Sequence, residues 1–166
     1  MHSTGSDAQA TLHTIIIGSG FAGIGMAVAL KKAGVGDFLI LEKQNDVGGV
    51  WRDNTYPGCA CDVQSRLYEL DAAPWPEWTR KFAGQEEIRG YLESVVEIFG
   101  LEPMLRLETE VTHAEWHEAD DAWHVETTRG PIVADVLISA CGGLTEPLYP
   151  DIPGKADFTG PAMHTA

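Results

Sequence analysis

Residues 14–25 read TIIIGSGFAGIG, and this stretch decides the fold. The three isoleucines form a β-branched apolar run that ends at Gly18, which is typical of a strand buried on both faces of a parallel sheet. Apolar residues then recur at helical spacing as far as Leu30, and the two lysines that follow suit the negative end of a helix dipole. The stretch therefore predicts a strand, a glycine-rich turn and a helix.

The turn itself has the spacing GxGxxG, with glycines at 18, 20 and 23. In such a turn the first glycine permits the tight bend, the second lets backbone N–H groups approach a pyrophosphate, and the third lets helix and strand pack closely. A second apolar run, residues 38–41, ends at Glu42, which lies 19 residues after Gly23 and can accept hydrogen bonds from an adenosine ribose. The pattern predicts a dinucleotide site; the alternative is that the glycines serve packing alone.

The residues after Glu42 help to decide whether the site binds NAD or FAD. Lys43 follows directly, and Val47-Gly48-Gly49-Val50-Trp51 offers a second close approach of the backbone within nine residues. An ordinary NAD-binding fold would continue directly into a helix here. FAD is larger and needs a second cradle for its flavin side, so the sequence favours FAD over NAD.

The rest of the chain completes an α/β pattern. Residues 47–82 predict an ordered loop region rich in Gly, Pro and Trp, and apolar residues at helical spacing predict an amphipathic helix over 88–99. Residues 111–133 read as an antiparallel meander. We therefore expect a Rossmann-like FAD-binding domain over residues 11–166, with residues 1–10 as a flexible tail. Its parallel sheet is predicted at Thr11–Ile17, Phe38–Glu42, Leu105–Val111 and Asp135–Ala140, with flanking helices and the small meander.

Charge and cysteine content exclude several classes of function. The chain has 166 residues and a formal net charge of −14, which disfavours nucleic acid and anionic membrane surfaces as partners. Residues 8–30 lack Asp, Glu, Lys and Arg, but four glycines interrupt the run, so a membrane span or signal peptide is not expected. The three cysteines are an odd number that fits a reducing cytoplasm better than secretion.

Three stretches resemble a known family. Residues 49–62, which run from Gly49 through Tyr56-Pro57-Gly58 to Asp62, fit the pattern GxWxxxx(F/Y)P(G/M)xxxD without a gap. Residues 158–165, FTGPAMHT, fit the start of the pattern FxGxxxHTxxW(P/D), and Ala140-Cys141-Gly142 is similar to an ATG segment. On these residues the chain resembles the N-terminal, FAD-binding part of class B flavoprotein monooxygenases, the Baeyer–Villiger monooxygenases in particular.

The resemblance implies a flavin that NADPH reduces and that then uses molecular oxygen to convert a small-molecule ketone into an ester or lactone. It implies that Asp62 is a catalytic carboxylate near the flavin, where the family pairs it with an arginine from a later segment. No metal is expected. The candidate cofactor-binding residues are Gly18, Ser19, Gly20, Phe21, Ala22, Gly23, Glu42, Lys43, Gly49, Val50, Trp51, Asp62, Tyr68, Val111, Ala140 and Gly142.

The chain lacks the family's later segments, namely the NADPH-binding domain and the arginine partner. We therefore expect it to be a fragment or relic of a longer protein, or one half of a split enzyme, and to be inactive by itself. One alternative is a flavin-containing monooxygenase that oxygenates nitrogen or sulfur, although Asp62 and Thr165 favour the ketone oxidisers. The other is a non-catalytic nucleotide-binding module.

Other side chains invite different interpretations. Cys59 and Cys61 suggest a redox disulfide, but their spacing fits small packed residues better. His113 and His117 would lie about 13 Å apart on a strand, which excludes a metal ion shared by that pair. Trp75 and Trp78 lie beside prolines and predict either a substrate path or a loop pinned to the core; the sequence leaves both open.

Overall fold

The computed structural model describes residues 12–145 and 147–164, so the predicted tail at residues 1–10 and Thr165 lie outside the described residues. The chain begins with β1 (Leu12–Ile17), α1 (Phe21–Lys32) and β2 (Phe38–Leu41). The two strands are parallel, with Ile15 opposite Leu39. The βαβ unit predicted from the glycine-rich stretch is therefore present.

Two further helices, four strands and several short turns follow. The helices are α2 (Val50–Asp53) and α3 (Gln85–Ile98), and the strands are β3 (Leu105–Arg106), β4 (Val111–His117), β5 (Ala122–Thr127) and β6 (Ile132–Ser139); short 3₁₀ turns occupy Ser65–Leu67, Glu102–Met104 and Lys155–Asp157. All six strands form one mixed sheet in the order β3-β2-β1-β6-β5-β4. The predicted α/β class, with a parallel part and an antiparallel meander, is confirmed.

Strand β6 joins the two parts of the sheet. Its first residues pair antiparallel with β5, as in Val133 opposite His124, and its later residues pair parallel with β1, as in Ile138 opposite Ile16. The sequence analysis separated residues 131–133 from a strand at 135–140. The structure has one continuous strand because no turn residue stands between these segments, and Ala134 is opposite both Leu12 and Trp123.

The predicted strand Leu105–Val111 is interrupted. Leu105 and Arg106 pair with the end of β2, after which Glu108 adopts a φ of 51° and the chain turns. Because β2 ends at Leu41, the residues after Arg106 pair with the loop that follows β2. Glu108 N donates to Gln44 O at 2.8 Å, and Thr109 N donates to Glu42 O at 2.8 Å. The alternation of apolar residues continues through this turn. For that reason the sequence of residues 105–111 predicted one strand.

The sheet is covered on both faces. Ile16 and Ile40 face α1 and α3 in the larger cluster, where Tyr91 and Leu92 are buried. Ile15 and Leu41 face the other way and pack with Val125 and Ala134 of the meander. This double burial explains the uninterrupted apolar runs of β1 and β2. Among the described residues, no helix is long and apolar enough to cross a membrane.

Candidate functional site

A cleft of about 570 Å³ lies at the carboxyl ends of β1, β2 and β6. Open α/β sheets bind ligands at this edge, outside the carboxyl ends of the parallel strands. Fourteen of the residues predicted from the sequence to bind the cofactor line it: Gly18, Ser19, Gly20, Phe21, Ala22, Glu42, Lys43, Gly49, Val50, Trp51, Tyr68, Val111, Ala140 and Gly142. The other two predicted residues, Gly23 and Asp62, are not among the lining residues.

The glycine-rich turn forms the floor of the cleft. Gly18 adopts a φ of 100°, and a Cβ atom there would lie 2.7 Å from the carbonyl oxygen of Ala140. Gly23 lies behind the turn, where a Cβ atom would come within 1.9 Å of the Gly18 carbonyl oxygen. Helix α1 starts after Gly20 without a side-chain cap and without an acidic residue in its first turn. Its first N–H groups and the positive end of its dipole therefore suit an anion.

The second glycine stretch lies against the first. Gly48 N donates to Ser19 O at 3.0 Å, and Gly49 adopts a φ of 56°. A Cβ atom on Gly49 would lie 3.1 Å from the Cα of Gly20, so the two backbones approach each other as closely as glycine allows. Helix α2 begins directly after this contact and carries Val50 and Trp51 to the cleft wall.

Glu42 is buried directly after β2, and its carboxylate has four polar contacts. Its Oε2 accepts from Ser19 N at 3.0 Å and from Ser19 Oγ at 2.7 Å, while its Oε1 accepts from Gln44 N at 3.0 Å and lies 3.3 Å from Arg52 Nη1. A carboxylate offers about four lone-pair directions, so any further hydrogen-bond donor has to compete with one of these partners. The Arg52 contact is the longest of the four.

Arg52 is the main residue of the site that the sequence analysis missed. Its Nη1 also donates to Asp46 O at 2.6 Å, and its Nε and Nη2 form a two-pronged contact with Asp53 at 2.8 and 3.0 Å. The only sequence feature that could have indicated Arg52 is its position directly after Trp51. Its ion pair with Glu42 could not be predicted, because it depends on how the loop between the two residues folds. The further lining residues that were not predicted as site residues are Ile17, Leu41, Gly48, Asp53, Thr109, Glu110, Cys141, Gly143, Leu144 and Thr145.

Replacing Glu42 by glutamine is expected to lower the free energy of unfolding by about 2 kcal/mol. The amide NH₂ would face N–H donors, so at least one buried donor and the Arg52 charge would lose an acceptor. Urea denaturation followed by circular dichroism measures the change. Glu110→Gln, an exposed cleft position with the same change of charge, is the control and should be within about 0.5 kcal/mol of the parent; an equal loss in both variants would contradict a role specific to Glu42.

Trp51 and Tyr68 form the aromatic wall. Trp51 Nε1 donates to the Tyr68 hydroxyl at 3.1 Å, and the Phe21 and Tyr68 rings meet edge to face at 4.6 Å. Burial raises the pKa of Tyr68, the bond from Trp51 opposes this, and the charges of Cys61 and Asp62 raise the pKa further. The phenol therefore stays protonated at neutral pH and can donate a proton into a hydrogen bond. Asp62 itself is exposed.

The tryptophans and cysteines for which the sequence suggested other roles lie in different environments. Trp75 and Trp78 pack around Tyr91 at ring distances of 5.9 and 5.2 Å, and Glu69 Oε2 accepts from Trp78 Nε1 at 2.7 Å. Neither tryptophan lines the cleft, so the loop-pinning interpretation is the one the structure favours. All three cysteines carry free thiols, with Cys61 buried and Cys141 exposed.

The comparisons with known proteins agree with this geometry. A family profile described as pyridine nucleotide-disulphide oxidoreductase matches residues 15–165. A Baeyer–Villiger monooxygenase of Streptomyces coelicolor is 53% identical over 151 residues, which cover 91% of this chain and 29% of the relative. One of Pseudomonas aeruginosa is 46% identical over 90% of this chain, again 29% of the relative. The chain thus spans less than a third of the length of these relatives.

Solved structures show the same fold. The crystal structure of OTEMO in complex with FAD and NADP has a TM-score of 0.80 at 34% identity, over 95% of this chain and 30% of that one. Cyclohexanone monooxygenase from Rhodococcus sp. Phi1 bound to NADP+ has a TM-score of 0.78 at 33% identity, over 95% and 31% of the two chains. The resemblance inferred from the motifs is confirmed.

Proposed function

Since this chain belongs to the pyridine nucleotide-disulphide oxidoreductase family, we propose that it supplies the FAD-binding part of an NADPH-dependent Baeyer–Villiger monooxygenase. The observation that carries the proposal is the pair of facing glycine stretches in the cleft. A Cβ atom on Gly49 would fill the space beside Gly20, and a simple mononucleotide fold has no need of this second close approach.

The residues present fit FAD. The turn from Gly18 to Ala22, at the N-terminus of α1, would hold the pyrophosphate. Glu42 and Lys43 would hold the adenosine ribose, and the Val111 backbone would meet the adenine. The flavin half would lie against the second glycine stretch, the aromatic wall and the residues that follow β6. These contacts would come from Gly49, Val50, Trp51, Tyr68, Ala140 and Gly142. When bound, the flavin supplies electron transfer from NADPH and the activation of molecular oxygen.

The chain's own residues bind and orient the cofactor. Gly48 N donates a hydrogen bond to Ser19 O, so the two glycine stretches are held together before the cofactor binds. Arg52 neutralises Glu42 in the free protein, and a ribose hydroxyl can take over the long contact at Oε1 without breaking the bonds from Ser19. The rings of Phe21, Trp51 and Tyr68 contact one another and would shield that side of the cleft from water when the cofactor is bound.

The substrates follow from the relatives and remain part of the proposal. We infer a small-molecule ketone and oxygen as substrates because similar proteins are named Baeyer–Villiger or cyclohexanone monooxygenases. The net charge of −14 argues against nucleic acid and anionic membrane surfaces, and three free thiols support a cytoplasmic location. We expect the isolated chain to bind FAD without turning over a ketone.

Incubation of the purified chain with FAD, followed by desalting and an absorbance spectrum, tests the proposal. We expect the protein fraction to stay yellow with about one FAD per chain. FMN, which lacks the adenosine half that Glu42 and Val111 would hold, should be lost on the column under the same conditions. A folded chain, verified by circular dichroism, that binds neither flavin would contradict the proposed cofactor.

Replacing Asp62 by alanine is expected to spare FAD binding and to impair oxygenation. The side chain is exposed and does not line the cleft of this chain, but its charge acts on Tyr68 at the aromatic wall. The test uses a chimera in which this chain replaces the matching 151 residues of the Streptomyces coelicolor relative. We expect ketone oxygenation to fall at least about 100-fold with FAD content unchanged.

A matched control and a contradicting outcome complete that experiment. Asp71→Ala, another exposed carboxylate in the same loop region, should leave both quantities as in the parent chimera. If Asp62→Ala lowers FAD content and oxygenation together, Asp62 is a structural residue instead.

A further inference from the structure

The β4–β5 hairpin carries an unusual polar face. Along β4 the alternate residues His113, Glu115 and His117 share one side of the strand, and the register places His124 of β5 opposite Glu115. Residues that are opposite each other in an antiparallel pair project from the same face. The other face carries the Trp116–Trp123 pair, whose rings meet edge to face at 5.8 Å. Histidines and carboxylates thus collect on one side of the hairpin.

Three of the side chains near the turn already converge. The His117 and His124 rings are stacked with their centroids 3.8 Å apart and their planes within 11° of parallel. Asp120 Oδ2 lies 2.9 Å from His124 Nε2 and 3.9 Å from His117 Nδ1. The turn that places Asp120 is fixed by a bond from its N–H to the His117 carbonyl at 3.2 Å, and Asp121 completes it with a φ of 53°.

We propose that His117, Asp120 and His124 form a binding site for a divalent transition-metal ion such as zinc. One ligand atom from each residue lies within 4.8 Å of the other two. Tetrahedral zinc, with bonds of about 2.0–2.2 Å to His nitrogen and carboxylate oxygen, needs ligand atoms about 3.3 Å apart. The two imidazoles are stacked and partly exposed, so the proposal requires them to rotate about their side-chain torsions to bring the ligand atoms closer together.

The ligand chemistry selects among cations. Two imidazole nitrogens and one carboxylate suit zinc, copper and nickel, whereas magnesium and calcium prefer sets made of oxygen. With three protein ligands, water would complete the coordination, as expected for a site at the surface. Solvent reaches the cluster, since the side chains of His117 and His124 are 40% and 34% exposed.

Glu115 provides support behind the ligands. Its Oε2 lies 3.7 Å from His117 Nε2, on the side of the imidazole away from Asp120. Histidines that bind metals commonly donate their second ring N–H to a carboxylate, which fixes the tautomer and directs the free nitrogen to the ion. At 3.7 Å this contact is an ion-pair distance and not a hydrogen bond, so in the proposal Glu115 accepts such a bond once the His117 ring has turned towards the ion.

The site is independent of the cleft. Val111, at the start of β4, lines the cleft, and His117 ends the same strand about 20 Å away. The sequence pattern pointed to His113 with His117 and not to this set, because the stacking of His117 on His124 depends on the hairpin register. Binding of zinc here would clamp the turn between β4 and β5, and it would not depend on the FAD proposal.

Titration of the full chain with zinc chloride by isothermal calorimetry, with its thiols kept reduced, tests the site. We expect one zinc per hairpin site, competed by nickel and unaffected by a large excess of magnesium. His117→Ala, His124→Ala and Asp120→Asn should each weaken this binding at least about tenfold. His113→Ala is the matched control, because it removes an exposed histidine from the same face but no ligand, and its affinity should stay within about twofold of the parent.

Titration with cobalt(II) shows which residues hold the ion. A hairpin site gives visible bands of a nitrogen–oxygen set, whereas binding to Cys59, Cys61 or Cys141 gives intense sulfur-to-cobalt charge transfer. The proposal is overturned if the parent chain binds no zinc, if the three ligand variants bind it as the parent does, or if all cobalt bands come from thiolates. Circular dichroism of each variant separates loss of ligands from loss of fold.

Discussion

Replacing Gly23 by alanine is expected to destabilise the protein by about 3 kcal/mol or more, enough to unfold a marginally stable domain. The added Cβ would lie 1.9 Å from the carbonyl oxygen of Gly18 and 3.0 Å from its carbonyl carbon. Both atoms belong to backbone that is fixed by the bond from Gly18 N to Leu41 O at 2.8 Å, so they cannot withdraw as a flexible side chain would. Helix α1 would have to move away from β1, which opens the core.

Urea denaturation measures the loss of stability in Gly23→Ala, and alanine substitutions of two other helical glycines serve for comparison. A Cβ atom added to Gly90 in α3 would meet no neighbouring atom within 4 Å, so Gly90→Ala should raise the free energy of unfolding by about 0.5–1 kcal/mol. Gly25→Ala meets only the Leu70 side chain, at 3.0 Å, and should fall between these extremes. If Gly23→Ala unfolds at the urea concentration of the parent, the close packing of strand and helix is not what requires this glycine.

Replacing Gly20 by valine is expected to abolish FAD binding while the fold survives. Gly20 has φ −80° and ψ −166°, an extended conformation that valine adopts readily, and a Cβ there meets only the Gly49 Cα at an ordinary 3.7 Å. The branched side chain would instead fill the gap between the two glycine stretches. A pyrophosphate could then no longer reach the N–H groups at the start of α1.

The contrast between Gly20→Val and Gly23→Ala separates binding from stability. FAD titration followed by flavin fluorescence should give no saturable binding to Gly20→Val, and its circular dichroism spectrum should match that of the parent. Gly90→Val makes the same substitution far from the cleft and should retain the affinity of the parent. If Gly20→Val stays yellow after desalting, the assignment of this turn to the pyrophosphate is wrong.

The parts of the fold that were predicted correctly depend on local signals. The run from Thr14 to Gly25 specifies strand, turn and helix through residues adjacent in sequence, and α3 follows from its own helical spacing. The break at Glu108 could not be predicted, because it depends on where β2, a distant partner, ends. The continuity of β6 likewise depends on distant partners, because its first half pairs with β5 and most of its length pairs with β1.

The site divides in the same way. Gly18, Gly20 and Glu42 were predicted from the spacing of the glycine-rich turn, and Trp51 from the second glycine stretch and the family pattern; all four line the cleft. Arg52 was missed because its value lies in an ion pair with Glu42 that exists only after the intervening loop has folded. Trp75 and Trp78 could not be assigned from sequence, since substrate paths and pinned loops use the same residue types, and only their contacts with Tyr91 decide between them.

The position of β6 in the sheet has a consequence for biosynthesis. Leu12 of β1 is opposite Ala134 of β6, so one side of β1 waits for a partner about 120 residues later in the chain. At a synthesis rate of about 5–20 residues per second, that delay is about 6–24 s on the ribosome. During this time an apolar strand edge beside the incomplete cleft is open to wrong partners. A chaperone that shields β1 until residues 132–139 emerge would therefore raise the yield of folded protein more than one that acts after release.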